Sequence, residues 1–445
     1  MAIAALPASI NALPPHAARR PSARHLAPAG LCLALLAAPA RSEDELNRLG
    51  FPEVPSENSC VLPAQEAADA EPLPLLAPPT PGAGSRRLAP PLATAHSLSA
   101  EQDLLARAQP DGMGRLRLSG PDGGRLLTIQ PALQDALTQL LESYQTPYAA
   151  VVVLEPASGR VLAMAEYAHA DPALRGLATK ALFPAASVFK LVTATALLDA
   201  GLGPEDVGCA HGGKRHIQAR LLEDSSADQT CLSLAEALGR SANAVFAKLT
   251  HRYLRPEQLR AAAEALHFNR PFDFPVPTDV SLARVPEDAL GLATTGAGFG
   301  DVYLSPLHGA MLASVAANRG LWRAPVLFED QVAPGPASER VLSEEQAEAL
   351  VRMMEETVTH GTARRFFRRA VLRTAVGKTG SLADKPPLPY RDYTWFVGFA
   401  PRDTPRVAVA AVVVNDVLWR IHAPWLASEA LRLVLQGPGP LHARR

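Results

Sequence analysis

Strand-forming runs at two widely separated places, with helical segments between them, limit the folds open to this chain. The first place holds "YAAVVVL" at Tyr148–Leu154 and a second apolar run at Val161–Ala165. The turn "EPASGR" joins them, so the pair reads as a β-hairpin. The second place holds "RTAVGKTGSL", "YTWFVGFAP" and "RVAVAAVVVND", which carry the β-branched and aromatic residues of sheet. Between them lie "SVFKLVTATALLDAG", "SLAEALGRSANAVFAKLTHRYL", "PEQLRAAAEALHF" and "SPLHGAMLASVAANRG", punctuated by glycines as helix ends require. "SEEQAEALVRMMEETVTHG" adds a helix with a serine N-cap, a helix is expected after Pro131, and "WLASEALRLVLQ" closes the chain as another. The expected fold is α+β. A five-stranded antiparallel sheet, shared by N- and C-terminal pieces, is flanked by helices and carries an inserted all-helical lobe.

This order is expected over 126–445 as one domain, and 48% hydrophobic against 20% charged residues leaves ample material for a core. Residues 41–125 are rich in Pro and Ala and read as a linker with little regular structure. Within it, Leu98 to Ala108 is expected to form a short helix entered at Ser99. Residues 1–40 read as a signal peptide. Arg19, Arg20 and Arg24 precede an apolar run at Ala29–Ala38, and Ala38-Pro39-Ala40 offers small residues for cleavage. That run is too short to span a bilayer, which takes about 20 residues. A disordered Ala/Pro tail, or a start codon placed too early, are the alternatives. Export implies a periplasmic or otherwise extracytoplasmic protein.

Lys and Arg number 43 against 44 Asp and Glu, a balance that argues for no nucleic-acid partner and no anionic membrane surface. Of the four cysteines, Cys209 and Cys231 bracket a polar, Gly-containing stretch. That suits either a loop stapled by a disulfide or two unpaired thiols. Cys32 lies at the front of the apolar run and Cys60 in the linker. No Cys/His cluster has zinc spacing, so no metal and no cofactor are expected.

Three short motifs then follow in order. In Ser187-Val188-Phe189-Lys190 the serine opens a helix, so Lys190 sits one turn below its hydroxyl. A serine is a poor nucleophile until a base takes its proton, and a lysine can do so only when its amine is neutral. Burial and a second nearby cation would bring that about. In Ser241-Ala242-Asn243 the hydroxyl can pass a proton between Lys190, a leaving amine and water. Asn243 offers a donor and an acceptor to a substrate amide or to Lys190. In Lys378-Thr379-Gly380-Ser381, on an expected strand, Lys378 supplies positive charge for a carboxylate and Thr379 a hydrogen bond to it. Gly380 lets substrate approach the backbone, and the Ser381 and Ser187 N–H groups can form an oxyanion hole. Taken singly, each motif also reads as a serine N-cap, a polar turn between helices, or an edge strand guarded by lysine.

The three motifs together resemble the signature of serine penicillin-binding proteins and β-lactamases. From about Leu127 to Gln436 the chain is similar to the penicillin-binding transpeptidase domain. "TIQPALQ", "VVVLEPASGRVLAMA", "FPAASVFKLVTA", "TTGAGFGDVYLSPLHGAMLASVAANRG", "VGKTGS" and "WFVGFAP" carry the likeness. The resemblance implies Ser187 as the acylated serine, Lys190 as base and Ser241 as proton relay. It implies Asn243, Lys378, Thr379, Gly380 and Ser381 as substrate-binding groups. It also implies the D-alanyl-D-alanine end of peptidoglycan stem peptides as substrate, β-lactam antibiotics as ligands that acylate the same serine, and a cell-wall synthesis protein as a further partner. With no glycosyltransferase domain or folded pedestal expected before Leu126, the chain is expected to be an isolated transpeptidase module.

Other readings remain at this stage. A class D-like β-lactamase shares the segment around Phe183-Pro184-Ala185-Ala186-Ser187, and a D,D-carboxypeptidase shares the acylation chemistry. No clear acidic "ExxLN" segment of the class A kind lies between the second and third motifs, and the second motif ends in asparagine; both favour the transpeptidase. A non-catalytic β-lactam sensor or wall scaffold is opposed by three intact motifs. H-E-x-x-H and G-x-S-x-G patterns are absent, which sets aside zinc hydrolases and Ser-His-Asp hydrolases.

Overall fold

The computed structural model describes residues 95–437 apart from 121, 122, 215, 333–337 and 385–387. The expected signal peptide, most of the expected linker, Cys32 and Cys60 lie outside the described residues.

Five strands build the central sheet: β1 (Tyr148–Leu154), β2 (Val161–Tyr167), β3 (Val376–Ala383), β4 (Asp392–Ala400) and β5 (Val407–Asn415). Their spatial order is β3-β4-β5-β1-β2, and every neighbouring pair is antiparallel. The seam between the two chain pieces is the β5–β1 pairing, with Ala411 opposite Val151. Both faces are buried, which is why the strands read as nearly unbroken apolar runs. Ala150, Val152, Ala410 and Val412 enter one core, while Ala149, Val151, Val153, Val409, Ala411 and Val413 enter the other. The period-two alternation of strand side chains sorts them.

The second core is closed by α1 (Pro131–Tyr144), which buries Leu133, Leu137, Leu140 and Leu141 on one stripe. The C-terminal helix (Ala423–Gln436) packs beside it on β4 and β5. The first core is closed by the helices of the middle stretch. These are α2 (Lys190–Asp199), α3 (Leu234–Gly239), α4 (Asn243–Tyr253), α5 (Pro256–Ala265), α6 (Ala289–Gly296), α7 (Pro306–Ala317) and α8 (Glu344–Thr359). The helix α7 is buried from Pro306 to Ala316, consistent with its position between the sheet and the other helices. Ser233, Ser305 and Ser343 cap α3, α7 and α8, each accepting a backbone N–H from the first turn. The α+β fold with its helical lobe is the one expected.

Two local expectations need correction. The segment after Ser99 is a turn, because the Ser99 hydroxyl accepts the Gln102 N–H at 3.3 Å. The helix starts only at Leu104, capped by Asp103, and ends at Arg107. Regular structure also precedes Leu126: Gln109–Pro110, Leu116–Leu118 and Arg125–Leu126 form a small antiparallel sheet. Among the described residues no helix is long and apolar enough to cross a membrane.

Candidate active site

Ser187 does not open an α-helix directly. It lies on a 3-10 turn, Ala186–Phe189, that runs straight into α2 at Lys190. The turn is held on several sides. Its preceding strand, Phe183–Pro184, pairs with Asp301–Leu304. The Trp395 indole N–H of β4 donates to the Pro184 carbonyl at 2.9 Å. Ala186 takes the left-handed conformation, φ 50°, of the kind found where a backbone is constrained for function. Edge strand β3 packs on the same turn, and Gly380 makes that approach possible. A Cβ there would stand 3.1 Å from the Ala185 carbonyl oxygen and 3.2 Å from a Val188 methyl.

The Lys190 side chain is fully buried. Its Nζ lies 2.8 Å from Ser187 Oγ, 2.7 Å from Asn243 Oδ1 and 2.5 Å from the Ala297 carbonyl. The last two partners are acceptors only, so they take two N–H groups. The third direction of the nitrogen faces the serine. Burial first, and the charge of Lys378 second, push the Lys190 amine well below the ordinary lysine range. In the neutral amine that third direction is a lone pair aimed at the serine hydroxyl.

Asn243 opens α4, and its amide is oriented from behind: Nδ2 donates to the Lys214 carbonyl at 2.7 Å. Lys214 belongs to the excursion between two short strands, Val207–Ala210 and Thr230–Ser233, which a Cys209–Cys231 disulfide joins. The cysteines thus pair, resolving the alternative left open by their spacing. Ser241 sits in the turn between α3 and α4 at φ 55°.

Lys378 on β3 is also fully buried, and desolvation lowers it to about 7. Its Nζ donates to Ser241 Oγ at 3.0 Å and to the Thr379 carbonyl at 2.7 Å. The second motif is therefore divided. Asn243 bonds to Lys190, whereas Ser241 bonds to Lys378. Thr379 is half-buried and its hydroxyl lies 2.5 Å from that of Thr362. Ser381 is exposed, two residues along the edge strand. The eight expected residues thus stand on the 3-10 turn and the first residue of α2, the α3–α4 turn and the first residue of α4, and strand β3.

Sequence reasoning missed the Ala297 carbonyl, the Lys214 carbonyl and Thr362. Gly298 was the available signal: it has φ 86°, and a Cβ on it would stand 2.6 Å from the Ala186 carbonyl and 3.1 Å from Ser187 Cα. Gly298, the middle glycine of "TTGAGFG", marks the point where this loop presses against the serine turn. Among the described residues no group of three or more His, Cys, Asp or Glu side chains could hold a metal ion.

Residues 149–422 match the family described as penicillin binding protein transpeptidase domain. Peptidoglycan D,D-transpeptidase PbpA of Mycobacterium tuberculosis is 27% identical over 341 residues, 66% of this chain and 68% of that protein. The crystal structure of PBPA from that organism superposes with a TM-score of 0.57 at 26% identity, covering 70% of this chain and 80% of the other. The penicillin G acyl-enzyme complex of penicillin-binding protein A from the same organism gives a TM-score of 0.56 at 25% identity, covering 70% and 79%. The matched residues take in all three motifs and the sheet that positions them, and the chain belongs to the penicillin-binding protein transpeptidase family.

Proposed function

We propose that the chain is a serine D,D-transpeptidase that acts on the D-Ala-D-Ala end of peptidoglycan stem peptides through an acyl-enzyme on Ser187. The observation that carries this reading is the 2.8 Å approach of a buried, acceptor-saturated Lys190 amine to the serine hydroxyl. The Lys190 lone pair takes the Ser187 proton as the oxygen attacks the penultimate alanine carbonyl. The N–H groups of Ser187 and Ser381 hold the oxyanion. Lys378, with Thr379 beside it, binds the terminal carboxylate, and Gly380 leaves space for the peptide against β3. Asn243 binds the substrate amide while orienting Lys190. Ser241, 3.0 Å from Lys378, returns a proton to the leaving alanine amine. An amine on a second stem then takes the acyl group, and a β-lactam stops at the acylated stage.

The PbpA relatives are named D,D-transpeptidases, and a solved relative holds penicillin G as an acyl-enzyme, which supports the same reading here. An extracytoplasmic location, reached through the N-terminal segment as signal peptide, is part of the proposal. The disulfide supports it, since such bonds persist in oxidising compartments. So is a cell-wall synthesis protein as partner.

The test is a purified-protein reaction with a stem peptide ending in D-Ala-D-Ala and an amine acceptor. Cross-linked product with released D-alanine, lost in Ser187→Ala, supports the transpeptidase. Release without cross-linking would make the chain a carboxypeptidase. Rapid β-lactam turnover would make it a β-lactamase.

A further inference from the structure

Thr362 belongs to none of the three motifs, yet it touches two of them. It follows α8 in the segment His360-Gly361-Thr362, and its backbone N–H donates to the Gly239 carbonyl at 3.1 Å. Gly239 ends α3, two residues before Ser241. The approach is close: a Cβ on Gly361 would stand 2.1 Å from the Gly239 oxygen, so only glycine fits there. On its other side the Thr362 hydroxyl lies 2.5 Å from the Thr379 hydroxyl of β3. Its second possible acceptor is the same Gly239 carbonyl, at 3.4 Å, which also accepts the Thr362 N–H.

Each threonine hydroxyl has one proton to give and two lone pairs to receive. Either hydroxyl can donate across the 2.5 Å contact. With Thr362 as the donor, the Thr379 proton is left free to point away from Thr362, toward an anion along the edge of β3. A hydroxyl that accepts one hydrogen bond is polarised into a better donor of the next. We propose that Thr362 is a positioning residue that aims the Thr379 hydroxyl at the substrate carboxylate while tying β3 to the turn that carries Ser241. The inference rests on the functional reading above and adds a third contributor to carboxylate recognition, beside Lys378 and Thr379.

The experiment compares the full chain with its Thr362→Val and Thr362→Ser variants. The rate constant for acylation is measured with a penicillin and with the methyl ester of that penicillin, which lacks the anion. Thr362→Val keeps the shape and removes the proton. Its reaction with the free carboxylate is expected to slow by about tenfold, the scale of one hydrogen bond to a charged group. Its reaction with the ester should match that of the unaltered protein, and Thr362→Ser should restore the carboxylate rate. A second measurement uses Thr379→Val alone and combined with Thr362→Val. Because Thr362 acts through Thr379, the double variant should be no slower than Thr379→Val. Equal slowing with both penicillins, no slowing at all, or additive losses in the double variant would each overturn the proposal. Failure of the unaltered protein to acylate at Ser187 would instead remove the functional reading, and this inference with it.

Discussion

Lys190 and Lys378 are both fully buried, and they divide the second motif between them. Asn243 bonds to Lys190 at 2.7 Å and Ser241 to Lys378 at 3.0 Å. Two amines taken out of water in one site cannot both stay charged cheaply. Burial and then the charge of Lys378 drive Lys190 toward its neutral form, while desolvation alone brings Lys378 to about 7. In the proposed function, one of these amines serves as base and the other as anion-binding cation.

This division predicts a bell-shaped pH profile for acylation by carboxylate-bearing penicillins. The rate rises as Lys190 loses its proton, and falls as pH climbs through about 7 and Lys378 loses its charge. Stopped-flow acylation rates across pH check it. A rate that climbs steadily to pH values near the ordinary lysine range would contradict it.

The same groups link stability to pH. Between about 7 and the ordinary 10.5, the unfolded chain holds a proton on the residue-378 amine that the folded chain has released. The unfolded state binds more protons there, so Lys378 makes stability rise with pH across that window. Denaturant midpoints at several pH values should show this rise, and Lys378→Met should flatten it.

Lys190→Met removes the base with little change in volume. Acylation is expected to fall by at least about a hundredfold, the range of a lost general base. Stability changes by the balance of two effects. The desolvation cost of the amine is relieved, but Asn243 Oδ1 and the Ala297 carbonyl each lose a donor, at about 1–3 kcal/mol apiece. Acylation kinetics and a melting curve separate the two.

Reduction of Cys209–Cys231 should reach the active site. The bond closes a loop of sequence separation 22 that brings the Lys214 carbonyl to Asn243. Loss of the cross-link is expected to cost roughly 3 kcal/mol of stability. It should also slow acylation severalfold as the Asn243 amide loses its fixed partner. Cys209→Ser with Cys231→Ser, compared with the oxidised chain, checks both effects, and an unchanged acylation rate would disconnect the loop from the site.

Gly298→Ala places a methyl group 2.6 Å from the Ala186 carbonyl at φ 86°. A destabilisation of about 1–3 kcal/mol is expected, together with slower acylation as the serine turn shifts. A variant with an unchanged melting temperature and rate would show that the loop yields freely.

What could be read beforehand follows from what a side chain can announce. Ser187, Lys190, Ser241, Asn243 and Lys378 declare their chemistry by residue type and spacing, and the structure gathers them. The apolar run Val407–Val414 announced a strand because both of its faces are buried. The carbonyls of Ala297 and Lys214 were silent, since every residue carries the same backbone. The pairing of Ser241 with Lys378 was silent too, because it depends on how far β3 sits from the α3–α4 turn. At Ser99 a local side-chain turn competed with the helix and delayed it to Leu104.

The most direct measurement is mass spectrometry of the full chain after exposure to a penicillin, with the modified peptide sequenced. A single, slowly lost adduct on Ser187, absent from the Lys190→Met variant on the same timescale, is the predicted result. An adduct on another residue, or equal labelling of Ser187 when Lys190 is gone, would contradict the account.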